Sequence, residues 1–218
     1  MTCNGIYDSL EEFPLVTVVL VHHNRGELLK QAVRSIEAQT YPNIEVVLVD
    51  DGSTDKESLR ILEDLTWGWW ESKGWKVIRE KNKYLGAARN TGVKHAAGKY
   101  VVFMDDDDIA KPHQVETLVK VATNRDAEVV TSGHDVFSGV HFPYAAQSQT
   151  RYLPIGPAKM AGMLENVFGD SKMLVRRDSF VAEGGFTEDY GVGFEDYEFL
   201  AKMALKGKAM EAVSEPLN

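Results

Sequence analysis

Two runs of carboxylates carry most of the chemistry available to this chain. Asp50-Asp51-Gly52-Ser53-Thr54-Asp55 follows directly on the apolar run 44–49, and Asp105-Asp106-Asp107-Asp108 follows directly on the apolar run 100–104. Four adjacent carboxylates repel one another, a cost relieved by open solvent or by a hard divalent cation that prefers oxygen ligands. The second cluster therefore reads in two ways. It is either a solvated acidic turn that caps the next helix, or a site where Mg2+ or Mn2+ is held by one or two carboxylates and completed by substrate phosphates. Asp196, preceded by Glu195, is a further candidate, because an aspartate ionised at neutral pH can take a hydroxyl proton within hydrogen-bond reach. The competing reading is that both residues favour the first turn of a following helix through its dipole. Arg89 is a fork-shaped donor that suits a diphosphate or an ion pair on a helix surface.

The elements that must position these residues follow from apolar periodicity. Strand-like runs at 16–21, 44–49, 75–78, 100–104 and 127–131 alternate with helix-like segments, the pattern of parallel strands joined by crossover helices. The first helix, 27–38, puts Leu28, Leu29, Ala32, Val33 and Ile36 on one face, with Asn24 and Glu27 as its start signal. Thr54 with Glu57 reads as a capping box for a helix carrying Leu59, Ile61 and Leu62. A third helix, 86–97, stops at Gly98, and a fourth, 113–124, is entered through Pro112. Residues 133–157 show no clear period and read as a loop-rich, substrate-facing segment. A last unit holds a strand at 172–175, Gly184-Gly185, a helix at 195–206 and a strand at 208–213. In open parallel sheets ligands bind beyond the carboxyl ends of the strands, where both acidic clusters sit.

Composition narrows the class. The chain has 218 residues, 44% of them hydrophobic, enough for one domain with a substantial core. We expect a tail at 1–14 and a single domain at 15–218, with a ligand-binding half at 15–132 and a second half at 133–218. A net charge of −9 gives no general attraction to nucleic acid or anionic lipid. Cys3 is the only cysteine, so no intramolecular disulfide forms. The apolar run 16–21 is far too short to span a bilayer, and residues 1–12 lack the basic and apolar regions of a signal peptide. These features predict a soluble chain in the cytoplasm, or at the cytoplasmic face of a membrane.

The order of motifs resembles the inverting glycosyltransferases of family 2 over nearly the whole chain. The motifs are Val16-Thr17-Val18-Val19-Leu20 with Asn24-Arg25, Gln39-Thr40-Tyr41-Pro42 and Val49-Asp50-Asp51-Gly52-Ser53-Thr54-Asp55. Gly86-Ala87-Ala88-Arg89-Asn90-Thr91-Gly92, Phe103-Met104 with the four aspartates, Gly184-Gly185-Phe186 and Glu195-Asp196 complete the set. The resemblance implies an α/β GT-A fold, Rossmann-like, with a mostly parallel central sheet flanked by helices. It implies transfer of a single sugar, with inversion, from a nucleotide-diphosphate sugar, a UDP-sugar first, to a glycan or glycolipid acceptor in cell-surface polysaccharide or glycoconjugate synthesis.

On this resemblance Asp51, with Asp50, contacts the base, and Val21, Asn24, Arg89 and Glu195 complete the donor site. Asp105 and Asp106 hold the ribose and metal surroundings, Asp107 with Asp105 ligates Mn2+ or Mg2+, and Asp196 is the general base, with Glu195 or Glu198 next in line. Val21-His22-His23 departs from the Pro-Thr-Tyr common before the family's Asn, and no histidine follows His141 to serve as a late metal ligand. His22 and His23 read first as partly buried, hydrogen-bonded histidines and second as nucleotide contacts. Trp67, Trp69, Trp70 and Trp75 read as packing ahead of a sugar platform. Arg176 and Arg177 face phosphate or solvent. Q-x-x-R-W and membrane helices, marks of processive synthases, are absent from the sequence. A nucleotidyltransferase would require a glycine-rich loop where His22-His23-Asn24-Arg25-Gly26 stands, and a Rossmann dehydrogenase would require G-x-G-x-x-G. A non-catalytic nucleotide- or cation-binding module is the remaining alternative.

Overall fold

The computed structural model describes residues 13–66, 69–137, 148–189, 191 and 193–218. The tail through residue 12 with Cys3, Trp67, the side chain of Trp69, and residues 138–147 with His141 lie outside the described residues. The order of elements is β1 (Val16–His22), α1 (Gly26–Glu37), β2 (Ile44–Asp51), α2 (Lys56–Thr66), α3 (Trp69–Ser72), β3 (Lys76–Glu80), α4 (Leu85–His95), β4 (Tyr100–Asp105) and α5 (Gln114–Arg125). Then follow β5 (Val129–Val136), β6 (Thr150–Tyr152), α6 (Lys159–Gly162), β7 (Leu174–Arg176), α7 (Arg177–Ala182), α8 (Glu195–Leu205) and β8 (Met210–Pro216).

The strands form one sheet in the order β3-β2-β1-β4-β7-β5-β6, with β8 also paired to β5. The pairs β1–β2, β1–β4, β2–β3 and β5–β8 are parallel. β7 is antiparallel to both β4 and β5, and β6 is antiparallel to β5, within a sheet that is mostly parallel as expected. β7 is reached from the excursion after β5 rather than through a crossover helix, and only a crossover brings a strand back parallel. Alternate residues of β1 feed two cores, as a sheet covered on both faces requires. Val16, Val18 and Leu20 pack with α1, α2 and α5, whereas Val19 and Val21 pack with α4, Phe180 and α8. A Cβ on Gly92 would lie 2.2 Å from Val19 Cγ1, so glycine lets α4 lie directly on the sheet.

Several expected helix signals act elsewhere. Asn24 does not cap α1, because its Oδ1 accepts from the N–H groups of Thr54 and Asp55 at 2.7 and 3.0 Å. Asp55 rather than Thr54 caps α2, its Oδ1 accepting from Ser58 N at 2.9 Å. Gly98 does not close α4, which ends at His95; a Cβ on Gly98 would lie 2.6 Å from Thr17 N, so glycine there admits close approach to β1. The segment read as irregular from 133 contains the end of β5 and all of β6. Trp75 precedes β3 and packs edge-on against Trp70, with centroids 5.2 Å apart, and both rings are buried. No helix among the described residues is long and apolar enough to cross a membrane.

Candidate active site

The parallel register brings the carboxyl ends of β1, β2 and β4 to one edge. His22 pairs with Asp50, Val21 with Val49 and Asp105, and Asp51 with Glu80 at the end of β3. The Val21 side chain itself is in the core.

Past β4 the four aspartates separate by role. Carboxylate oxygens of Asp105, Asp107 and Asp108 come within 4.8 Å of one another. Asp106 points the other way and is fully buried. It meets His22 Nδ1 at 2.6 Å, accepts from His23 N at 3.2 Å, and pairs with Arg25 Nη2 at 2.5 Å. The other arm of Arg25 donates to Asp107 Oδ2 at 2.5 Å. Burial pushes the Asp108 carboxyl up to about 6; Lys172 at 3.6 Å draws it down, and Asp105, Asp107 and Asp170 push it further up. Three convergent carboxylates, one of them costly to ionise, are an oxygen-only donor set that fits Mg2+ or Mn2+ better than a soft metal. The expected pair Asp105 and Asp107 thus gains Asp108. The cluster opens into a cleft of about 360 Å³ lined also by His134, Phe137 and Lys172.

On the other side of Asp105 lies Arg89, on α4. It is buried, not on the helix surface: Nη2 reaches both Asp105 oxygens at 2.8 and 2.9 Å, and Nη1 donates to Glu195 Oε1. Burial alone would lower its pKa, but Asp105, Glu195 and Asp196 more than offset this and hold it charged. Arg89 thus joins the second acidic cluster, through Asp105, to the start of α8. One residue on, Asn90 fixes the same junction, its Nδ2 donating to Phe186 O at 2.8 Å and its Oδ1 accepting from Phe186 N at 3.0 Å. Gly185, at φ +72°, leaves no room for a Cβ beside Asn90 Oδ1. Asp196 is half-buried on the first turn of α8, with Oδ1 accepting from Tyr197 N at 2.7 Å. Glu198 accepts from Thr187 Oγ1.

At the end of β2, Asp50 accepts from Ser53 N at 3.0 Å and faces Arg79 Nε at 3.5 Å. The Asp51 carboxylate grips the next loop, accepting from Lys83 N at 2.7 Å and Tyr84 N at 3.0 Å. His23 Nδ1 lies 2.8 Å from Asp51 O. Sequence reasoning did not single out Arg79, Lys172, His134 or Asp170. Arg79 lies near the end of β3, so the strand-end rule that found the aspartates would also have found it. Arg176 and Arg177 are removed from the site: Arg176 pairs with Tyr100 at the opposite end of β4 and binds Asp126 at 2.6 Å, and Arg177 donates to Ala96 O at 2.9 Å.

This architecture is the GT-A fold. Its solved likenesses include S. aureus TarS 1-349 in complex with UDP-GlcNAc (TM-score 0.69, 23% identity, 92% of this chain and 56% of that one). Mannosyltransferase PcManGT from Pyrobaculum calidifontis, in complex with GDP-Man and Mn2+, gives a TM-score of 0.66 at 23% identity over 93% of this chain and 55% of that one. Residues 17–182 match the model of Glycosyl transferase family 2, and the chain belongs to that family. Glycosyltransferase GlyG of Streptococcus pneumoniae serotype 4 is 37% identical over 121 residues, 55% of this chain and 39% of that protein. Putative glycosyltransferase EpsH of Bacillus subtilis is 29% identical over 183 residues, 79% of this chain and 52% of that protein. The chain thus spans about half or less of the length of these relatives.

Proposed function

We propose that this domain transfers a single sugar from a nucleotide-diphosphate donor, with uridine as the preferred base, to an acceptor hydroxyl with inversion and with Mn2+ or Mg2+ as cofactor. The observation that carries the reading is the junction at Arg89, which ties the Asp105–Asp107–Asp108 cluster to the start of α8, where Asp196 stands. The neighbours solved with UDP-GlcNAc and with GDP-Man and Mn2+ support the choice of donor class and cation.

In this reading Asn24, Asp50 and Asp51 shape the base and ribose end, directly or through the loops they hold. Asp105 and Asp107, joined by Asp108, hold the cation, and Asp106 supports them from behind through Arg25. When bound, the cation acts as a Lewis acid that neutralises the departing diphosphate. Asp196 accepts the proton of the acceptor hydroxyl as its oxygen bonds to the anomeric carbon, and the bond to the diphosphate breaks with its electron pair leaving on phosphate oxygen. Arg89 and Glu195 set where Asp196 stands. Residues 15–132 supply the donor site, and 133–218 supply the acceptor side and the base. The acceptor is a glycan or glycolipid.

Calorimetry of UDP binding tests the metal and nucleotide parts together. Affinity rises with Mn2+ over chelator in the native protein, and Asp107→Ala abolishes the difference. Equal affinity in chelator, or a metal effect untouched by Asp107→Ala, sinks the assignment.

A further inference from the structure

Beyond Asp108 the cleft continues along the carboxyl end of β5, past side chains that the mechanism above does not use. His134, near that end of β5, lies opposite Tyr152 in the β5–β6 register, and the two rings stack with centroids 5.1 Å apart and planes at 29°. The Nδ1 edge is buried and lies 2.9 Å from Asp170 Oδ2. Asp170 also binds Lys172 Nζ at 2.9 Å, and Lys172 lies 3.6 Å from Asp108. Burial works against the charge on Asp170, but His134 and Lys172 outweigh it and hold the carboxyl well below the usual carboxylate range.

The imidazole is therefore held in plane by Tyr152, with its Nδ1 edge against the Asp170 carboxylate. Nε2 lies on the ring edge facing away from Asp170 and can hydrogen-bond a ligand hydroxyl as donor or acceptor. The ring itself lines the cleft into which the metal-binding carboxylates open. Val136 and Phe137, an apolar and an aromatic side chain, line the same cleft, and the cation of this stretch, Lys172, is already shared by two aspartates. A ring nitrogen held in place, an aromatic wall and a cation shared by two carboxylates suit a polyol with one C–H face, and offer little to a further phosphate.

We propose that His134 recognises the donor sugar, with Nε2 hydrogen-bonded to a sugar hydroxyl next to the diphosphate, and that Asp170 and Tyr152 position it. The inference rests on the donor-site reading above and extends the donor site past residue 132, into the second half of the chain.

Titration of UDP-GlcNAc against UDP, and of GDP-mannose against GDP, with Mn2+ present, separates the sugar contact from the nucleotide contact. His134→Ala leaves the affinity for the free nucleotide within about twofold and lowers that for the matching nucleotide sugar about tenfold, the size of one lost hydrogen bond. His134→Gln, which returns a polar amide to about the same reach, restores most of the loss, and Asp170→Asn reproduces part of it by loosening the ring's position. An unchanged ratio of sugar-nucleotide to nucleotide affinity in His134→Ala overturns the proposal while leaving the donor site intact. Equal loss for both ligands, in a variant whose melting temperature is native, also overturns it. A native protein that binds neither nucleotide contradicts both this inference and the reading on which it rests.

Discussion

Asp196 and Asp108 are both aspartates near one cleft, and their surroundings give them different behaviour. Asp196 sits half-buried with one oxygen held by its neighbour's N–H. Asp196→Asn keeps that shape and removes the basicity. Turnover should fall by about a hundred- to ten-thousandfold while nucleotide affinity moves little. Near-native turnover would return Asp196 to a helix-start role and move the base to Glu195 or Glu198; Glu195 is occupied by Arg89 and Glu198 by Thr187. Asp108 is pushed up to about 6 by burial and its acidic neighbours. A carboxyl raised by folding adds stability below its unfolded value near about 4 and loses it as pH rises through about 6. In chelator, Asp108→Asn should therefore gain melting temperature relative to the native protein at pH of about 7.5, and that gain should shrink as pH falls through about 6 and be gone near about 4. A difference that does not change with pH would contradict the assignment.

At the scale of elements, the site depends on α4 being tied to the segment before α8. Asn90 is the tie, and it is buried with both amide ends on the Phe186 backbone. Asn90→Ala leaves a buried N–H and C=O without partners, at a cost of about 1–3 kcal/mol. We expect a melting temperature lowered by several degrees and a fall in turnover larger than the change in nucleotide affinity, because the start of α8 loses its anchor. Equal falls in both would place Asn90 at the donor site instead.

The elements themselves were largely legible in the sequence: apolar runs located β1, β2 and β4 within a residue or two, and the acidic clusters were found because they stand at strand ends. Helix caps were misread for a specific reason. Asn24 has the residue type and spacing of a cap, but the fold brings the N–H groups of Thr54 and Asp55 to it from thirty residues away. β6, three residues long, is too short for a periodicity signal, whereas β7 overlaps the strand expected at 172–175. Arg89 and Glu195 are 106 residues apart, and nothing local in either stretch announces the pair.

For the whole molecule, the sheet gathers residues from β1, β2, β3, β4 and β5 at one edge, and α8 closes the site from the second half of the chain. A net charge of −9 sits poorly with an anionic ligand unless positive charge is local. Arg25, Arg79, Arg89 and Lys172 supply it, each already opposed by aspartate or glutamate. That pairing leaves room for a cation to accompany a diphosphate. The central claim is sugar transfer with inversion, and it can be tested without the natural acceptor because water can take the acceptor's place at a slow rate. NMR of the sugar first released from an α-linked nucleotide sugar in the presence of Mn2+ reads the claim most directly. The account predicts β-anomer, formed ahead of mutarotation, absent in chelator and suppressed in Asp196→Asn; first-formed α-anomer, or release that continues undiminished in chelator, would contradict it.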